Sequence, residues 1–279
     1  MERLIDLHVH SDCSDGTLSP EELIVHAHEH QLCAIALTDH DTIAGIERAK
    51  KKAEEYGIEL IPGIEFSTNY KGKDVHILGL GIDTANDHFV ESLQQFLDSR
   101  DLRNEKMIQA LNNHGVSISH EQMAEEYPDS VWTRAHFARF LSEHGYVRDI
   151  PDAFARYIGD DCPCFIPREK VTPFQAIQLV HEGGGFAVLA HPLLYHMNDA
   201  DLYLLVKELK KSGLDAMEAI YSANRWMDES NMKRLARKYS LKITGGSDYH
   251  GAGKPGIEIG VGRGNLSIPY EIWANLQKT

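Results

Sequence analysis

Leu4-Ile5-Asp6-Leu7-His8-Val9-His10-Ser11 is the stretch from which the rest of the chain is read. Side chains alternate between the faces of a strand, which places Asp6, His8 and His10 on one face and Ile5, Leu7 and Val9 on the other. Two imidazoles then converge on one point, and neutral histidine is the commonest nitrogen ligand for zinc, manganese or iron. An H-x-H pair alone is half of a metal site, because a merely solvated strand end carries the same residues.

The same kind of strand end recurs along the chain. Ala34-Ile35-Ala36-Leu37 runs into Thr38-Asp39-His40-Asp41-Thr42, Leu60-Ile61-Pro62-Gly63-Ile64 into Glu65, and Asp74-Val75 into His76. Later, Phe186 to Ala190 runs into His191-Pro192, and Lys242 to Ser247 into Asp248-Tyr249-His250. Each short apolar run stops at a ligand-type residue. A closed parallel barrel gathers the C-terminal ends of its strands around one mouth, so ligands far apart in sequence meet in space.

Composition bounds the reading. A chain of 279 residues suits one barrel-like domain with an insertion, or two domains. No apolar run is long enough to span a membrane, and a strand begins almost at once, so no signal peptide is expected and the location reads as cytoplasmic. The formal net charge of -14 argues against a surface that holds long nucleic acid, since that mode needs clustered Lys and Arg. A small or short phosphorylated substrate fits such a chain if bound metal supplies the positive charge. Cys13, Cys33, Cys162 and Cys164 form no C-x-x-C pair and read as free thiols. Nothing in the sequence calls for an obligate protein partner.

Taken in order, Ser19-Pro20-Glu21-Glu22 is a helix start with Ser as N-cap and Pro at the first helical position. That helix carries His26, His28 and His30, whose i, i+2 intervals send neighbours to different faces, so they read as surface or packing residues. Gly45 to Tyr56 is a second helix closed by Gly57. Strand, helix, strand, helix, strand, strand is the alternation of an α/β barrel. From about Asp83 the pattern turns helical over Val90 to Asn113, with short helices at His120-Tyr127, Thr133-His144 and Asp152-Tyr157. Residues 83–165 therefore read as a helical insertion with its own core, and 1–82 with 166–279 as the barrel domain. After Pro167, strands are expected at 186–190, at Leu214-Ile220 bearing Glu218, at Leu241-Gly246 and at Ile257-Val261, for about seven barrel strands in all. Glu218 reads as a partner acid at a strand end rather than a ligand.

His8-Val9-His10, Asp15, Thr38 to Thr42, Gly63-Ile64-Glu65, His76, Leu189-Ala190-His191-Pro192 and Ser247 to His250 resemble, in this order and over the whole chain, the motif set of the polymerase and histidinol phosphatase (PHP) family. The resemblance implies a distorted seven-stranded β/α barrel that holds a trinuclear metal cluster. It implies His8, His10, Glu65 and Asp248 around a first metal; Glu65 bridging to a second, completed by His76 and His191; and Asp15, His40 and His250 around a third. Many members carry His where this chain has Asp15, which leaves the third site one nitrogen poorer. Mixed nitrogen and oxygen donors without thiolate suit manganese, zinc or iron, manganese first, for two to three divalent ions. Three such ions bring roughly +6 against roughly -3 from Asp15, Glu65 and Asp248, so an anion is the natural ligand.

The expected chemistry is in-line attack on a phosphate ester by a metal-bridging hydroxide. No G-x-S-x-G or Cys/His arrangement competes. Asp41, Tyr249 and His196 are candidates for the general acid on position alone. Trp132-Thr133-Arg134-Ala135-His136, with Arg139 beyond, opens a helix whose N-terminus favours an anion. The T-R-x-H-x-A-R pattern with the later A-H-P resembles the PHP branch that dephosphorylates nucleoside 3',5'-bisphosphates and trims short RNA from the 5' end. Arg134, helped by His136 or Lys170, is expected to hold the second phosphate and Trp132 the base. The alternatives are a histidinol-phosphate phosphatase, an amidohydrolase, which would want a Lys at a middle strand end, and a non-catalytic metal-binding module.

Overall fold

A computed structural model describes residues 3–167 and 171–278. Seven strands lie side by side in chain order: β1 (Leu4–Val9), β2 (Leu32–Leu37), β3 (Glu59–Tyr70), β4 (Lys73–Leu80), β5 (Phe186–Leu189), β6 (Ala216–Tyr221) and β7 (Lys242–Gly246). The backbone just past β7 returns to β1: Asp248 N donates to His8 O and His10 N to Tyr249 O, both at 2.9 Å. These bonds nearly close the sheet into the expected barrel.

Two features depart from a parallel barrel. First, β4 is antiparallel to both β3 and β5. The link from β3 to β4 is the pair Lys71-Gly72, with φ of 53° and 85°, a tight hairpin that leaves no room for a crossover helix. Glu65 therefore sits in mid-strand, and His76 near the start of a strand that leaves the mouth instead of ending there. Second, β1 does not alternate cleanly. Asp6 pairs with Ile35 and Val9 with Leu37, three steps against two, which is a β-bulge. Leu7 thus joins the barrel interior with Ala36 and Ala190, whereas Val9 joins the outer layer with Leu23 and Ile24. Asp6 leaves the face of the two histidines and accepts backbone N–H bonds from His8, Ser247 and Gly260 at 3.2, 2.9 and 2.8 Å.

The interior is filled by inward residues of the strands, Ile5, Ala34, Ile61, Leu78, Val188 and Ala216 among them, and is joined by Trp273 and Leu276. The expected strand at 257–261 is instead a tight turn, bridged only at Glu258 and Gly262. Positive φ at Gly256, Gly260 and Gly262 (80°, 72° and 59°) breaks extended geometry there.

Helices wrap the barrel: α1 (Pro20–Glu29), α2 (Ile46–Tyr56), α3 (Asp87–Asn113), α4 (His120–Glu126), α5 (Arg134–Glu143), α6 (Ile150–Ala153) running into a π-helical turn (Phe154–Ile158), α7 (Pro173–Glu182), α8 (Asp199–Lys211), α9 (Asp228–Lys238) and α10 (Glu271–Leu276). The capping box of Ser19 with Glu22 starts α1 and that of Thr172 with Gln175 starts α7. Phe89, Leu93 and Phe96 of α3 pack into the outer layer of the barrel. Met107, Ile108 and Leu111, farther along the same helix, join a separate cluster with Phe137, Phe140 and Leu141 of α5. One long helix thus ties the helical segment to the barrel.

Candidate active site

The nine ligand-type side chains converge at the barrel mouth. His8 Nε2 and His10 Nε2 lie 3.1 Å apart, Glu65 Oε2 lies 3.1 and 3.2 Å from them, and Asp248 Oδ1 3.5 Å from each. The other Glu65 oxygen faces His76 Nδ1 at 2.9 Å and His191 Nε2 at 2.8 Å. Asp15 Oδ1 lies 3.2 Å from His250 Nε2, and Asp15 Oδ2 3.8 Å from His40 Nε2. His40 also reaches Glu65 Oε2 at 3.4 Å through Nδ1, so it stands between two groups.

These spacings fit metal ions. Bonds near 2.1 Å put neighbouring donors about 3.0 Å apart at right angles and about 3.4 Å apart in a tetrahedron. His10 Nδ1 and Asp15 Oδ1 are buried without a hydrogen-bond partner, a costly state for polar atoms unless an ion satisfies them. The sets His8/His10/Glu65/Asp248, His40/Glu65/His76 and His10/Asp15/His40/His250 can each surround a divalent cation.

Further residues aim these donors. Glu218 Oε1 lies 3.1 Å from His8 Nδ1, and its other oxygen accepts from His191 N at 2.8 Å, so it acts as the partner acid the sequence indicates. Asp248 Oδ2 accepts from Tyr221 Oη at 2.8 Å and from Lys254 Nζ at 2.6 Å. Thr133 Oγ1, the N-cap of α5, donates to Asp15 Oδ2 at 2.8 Å. Asp39 accepts from Ser11 N, Ser11 Oγ and Ser14 Oγ at 2.6–2.7 Å and folds the loop that presents Asp15. In that loop a Cβ at Gly16 would stand 2.3 Å from His10 O, and one at Gly246 would stand 2.3 Å from the His8 Cβ, so only glycine fits either place. Asp41, His191 and Asp248 all take positive φ (53°, 24° and 57°) directly after strands or strand ends. Such conformations are costly and cluster at functional sites.

Burial would raise the acids and lower the histidines, but charge pairing overrides it at several of them. Burial alone would lift Asp15, Glu65 and Asp248; His40 and His250 hold Asp15 well below the usual carboxylate range, His40 and His8 do so for Glu65, and Lys254 and His8 for Asp248. Desolvation pulls His10 down, yet Asp248 and Glu65 raise it to about 9. His8 likewise stands well above its ordinary value, because Glu65, Glu218 and Asp248 outweigh its burial. A metal entering the cluster therefore competes with protons on His8 and His10.

A cavity of about 250 Å³ opens from the cluster and is lined by Asp15, His40, His76 and His250, by Arg100, Arg103, Arg134, Arg139 and Lys254, and by Phe154 and Phe165. Five cationic side chains face two carboxylates there, Asp15 and Asp74. Arg134 lies between the rings of Phe154 and Phe165, at 5.6 and 5.2 Å, and donates to Asp74 at 2.7 Å and Asp160 at 3.0 Å.

Several sequence expectations are redirected. Asp41 is buried and bound by Arg100, with Arg100 Nε 2.8 Å from Asp41 Oδ2, so it acts as the counter-ion of a buried arginine and not as a free acid. Tyr249 packs against α1 with its ring on His26, and burial pushes its hydroxyl up to about 12. His196 is exposed after a short 3-10 turn and does not line the cavity. Trp132 turns its indole away: Nε1 donates to Tyr127 O at 3.1 Å and the ring meets His120. His136 is buried, and its Nδ1 accepts from Thr133 N at 3.0 Å as part of the helix cap. Lys170 lies outside the described residues. The missed groups, Arg100, Arg103, Lys254, Phe154 and Phe165, carry no motif signal, because only packing brings them to the mouth. Arg139, noted in the sequence without a role, joins them there.

Comparisons with known proteins place the chain in a family. Residues 6–157 match the PHP domain. The chain is 35% identical over 284 aligned residues to the "5'-3' exoribonuclease Rnm" of Escherichia coli K12, covering 99% of this chain and 96% of that one. It is 30% identical to the "3',5'-nucleoside bisphosphate phosphatase" of Chromobacterium violaceum, covering 98% and 96%. A solved structure from Bifidobacterium adolescentis, described as a metal-dependent phosphoesterase, superposes with a TM-score of 0.85 at 27% identity over 98% of this chain and 95% of that one. Among the described residues no helix is long and apolar enough to cross a membrane. With the mouth geometry and these likenesses together, the chain belongs to the PHP family and is a metal-dependent phosphoesterase.

Proposed function

We propose that the protein removes the 5'-phosphate of nucleoside 3',5'-bisphosphates and acts also on short 5'-phosphorylated oligonucleotides. The observation that carries this reading is the cavity that opens from the ligand cluster, where Arg103, Arg134, Arg139 and Lys254 line the wall beside Phe154 and Phe165 and offer N–H donors to a second anionic group. One phosphate is met at the cluster; further cations matter only to a substrate with a second anionic group. Two relatives whose names specify such substrates support the same choice.

In this reading His8, His10, Glu65 and Asp248 hold one ion, Glu65 with His76 and His191 a second, and Asp15, His40 and His250 a third, with manganese favoured by the carboxylate share of the donors. Divalent ions, when bound, lower the pKa of water and neutralise phosphoryl oxygens. Glu218 keeps the His8 proton on Nδ1, so that Nε2 presents its lone pair to the mouth. Lys254, charged against Asp248, faces a phosphoryl oxygen. Residues 83–165 act as the substrate-selecting part: Arg134 shares its free N–H groups with the 3'-phosphate, and Phe154 and Phe165, in place of Trp132, offer faces for the base.

Turnover of a nucleoside 3',5'-bisphosphate, the matching 5'-monophosphate and histidinol phosphate by manganese-loaded enzyme tests the assignment. Arg134→Ala should cost ~2 kcal/mol, about thirtyfold in kcat/KM, on the bisphosphate, and far less on the monophosphate. Equal losses on both would remove Arg134 from the second phosphate. A wild-type preference for histidinol phosphate would discard the nucleotide assignment.

A further inference from the structure

A second group of metal-type donors lies outside the mouth, on the outer face of α1. His26 and His30 stand one helical turn apart and therefore on the same face, an i, i+4 pairing that the i, i+2 reading of this helix overlooks. Their rings are 4.4 Å apart at 64°. Both turn Nε2 toward Glu258 of the tight turn ahead of α10, with Glu258 Oε1 2.6 Å from His26 Nε2 and 4.0 Å from His30 Nε2. These distances straddle the roughly 3.4 Å that separates two ligands of a tetrahedral ion.

The other ring nitrogens are already directed elsewhere. His30 Nδ1 donates to His26 O at 2.9 Å, and His26 Nδ1 faces Glu29 Oε2 at 3.8 Å. The carbonyl that holds the His30 proton on Nδ1 leaves the His30 Nε2 lone pair for a metal, the arrangement found around metal-bound histidines, while His26 Nε2 donates to Glu258 Oε1 and would give up that proton to an entering ion. The third donor is anchored as well. Glu258 and Gly262 exchange two backbone bonds of 2.8 Å, Gly260 N is held by buried Asp6 at 2.8 Å, and Glu258 Oε1 accepts from Ile259 N at 2.9 Å. The three side chains are 23%, 29% and 43% exposed, so an ion and its water ligands can reach them.

We propose that His26, His30 and Glu258 form a separate zinc site that staples α1 to the turn before α10. Two imidazoles and one carboxylate with open positions for water suit zinc, and do not suit calcium or magnesium, which take oxygen ligands. The site also bears on the mouth. The His26 ring stacks on Tyr249 at 5.4 Å and 29°, and Tyr249 is the residue between the mouth residues Asp248 and His250, so zinc here stiffens the wall behind them.

The test compares wild type, His30→Gln and Glu258→Gln, each loaded with manganese and then dialysed against buffered micromolar free zinc, with both metals measured by elemental analysis. Each variant should bind one zinc fewer per chain than wild type. Its zinc affinity at this site should fall by more than the roughly 10–100-fold that loss of an outer partner costs. Thermal melting in chelator checks folding, and wild type alone should gain the added zinc-dependent rise in Tm. Glu258→Gln keeps size and the acceptor for Ile259 N, so it decides the matter if His30→Gln folds poorly. Equal zinc content in wild type and Glu258→Gln would overturn the site and leave a hydrogen-bonded pair.

Discussion

Glu218→Gln changes one atom and reverses the logic of a proton. In the wild type both carboxylate oxygens accept, one facing His8 Nδ1 at 3.1 Å and the other bonded to His191 N at 2.8 Å. His191 N is a donor and nothing else, so a glutamine must turn its oxygen toward it and its NH2 toward His8. His8 Nδ1 must then accept, which places the ring proton on Nε2, on the side that faces His10, Glu65 and Asp248. His8 and Glu218 are 0% and 1% exposed, so water cannot repair the mismatch. Loss of such a partner costs about 10–100-fold in metal affinity, or about 1.4–2.8 kcal/mol. Manganese titration under metal-buffered conditions measures the loss, and melting in chelator should show the metal-free fold little changed. Manganese affinity within threefold of wild type would mean that Glu218 does not set the tautomer, and that His8 does not bind through Nε2.

Two other outcomes follow from buried charge. Asp41→Ala strands the Arg100 guanidinium, which is 2% exposed, and should destabilise the fold by about 3–5 kcal/mol in urea unfolding; full stability with a large drop in kcat alone would restore Asp41 as an acid. Burial pushes His136 down to about 4 from an ordinary 6.5, so the unfolded chain takes up its proton first. The resulting stability, roughly 3 kcal/mol, is fully present above pH 6.5 and is lost as pH falls toward 4. His136→Asn, which keeps an acceptor for Thr133 N, should flatten that part of the stability profile, and an unchanged slope would show that His136 titrates normally.

The sequence by itself determined the features that local chemistry controls. Short apolar runs ending in His, Asp or Glu marked the strands, Ser19 marked a helix start through its own side chain, and the mouth residues other than Asp15 were identifiable because each lies at the end of an apolar run; Asp15, in a polar loop, was legible only through the family resemblance. Only the tertiary structure decided the rest. The β1 bulge arises from pairing with β2, and it moves Asp6 away from His8 and His10 although strict alternation would join them. The antiparallel course of β4 comes from a two-residue turn whose φ values no apolar pattern reports. Trp132 and His136 sit beside Arg134 in sequence, yet the cap of α5 and the indole bond to Tyr127 turn both away from the cavity, while Phe154 and Phe165 take the places beside it. Arg100 reaches Asp41 across 59 residues, and Glu258 reaches His26 across 232. Contacts at that separation have no period and no spacing along the chain; they exist because the barrel closes and the helices pack upon it.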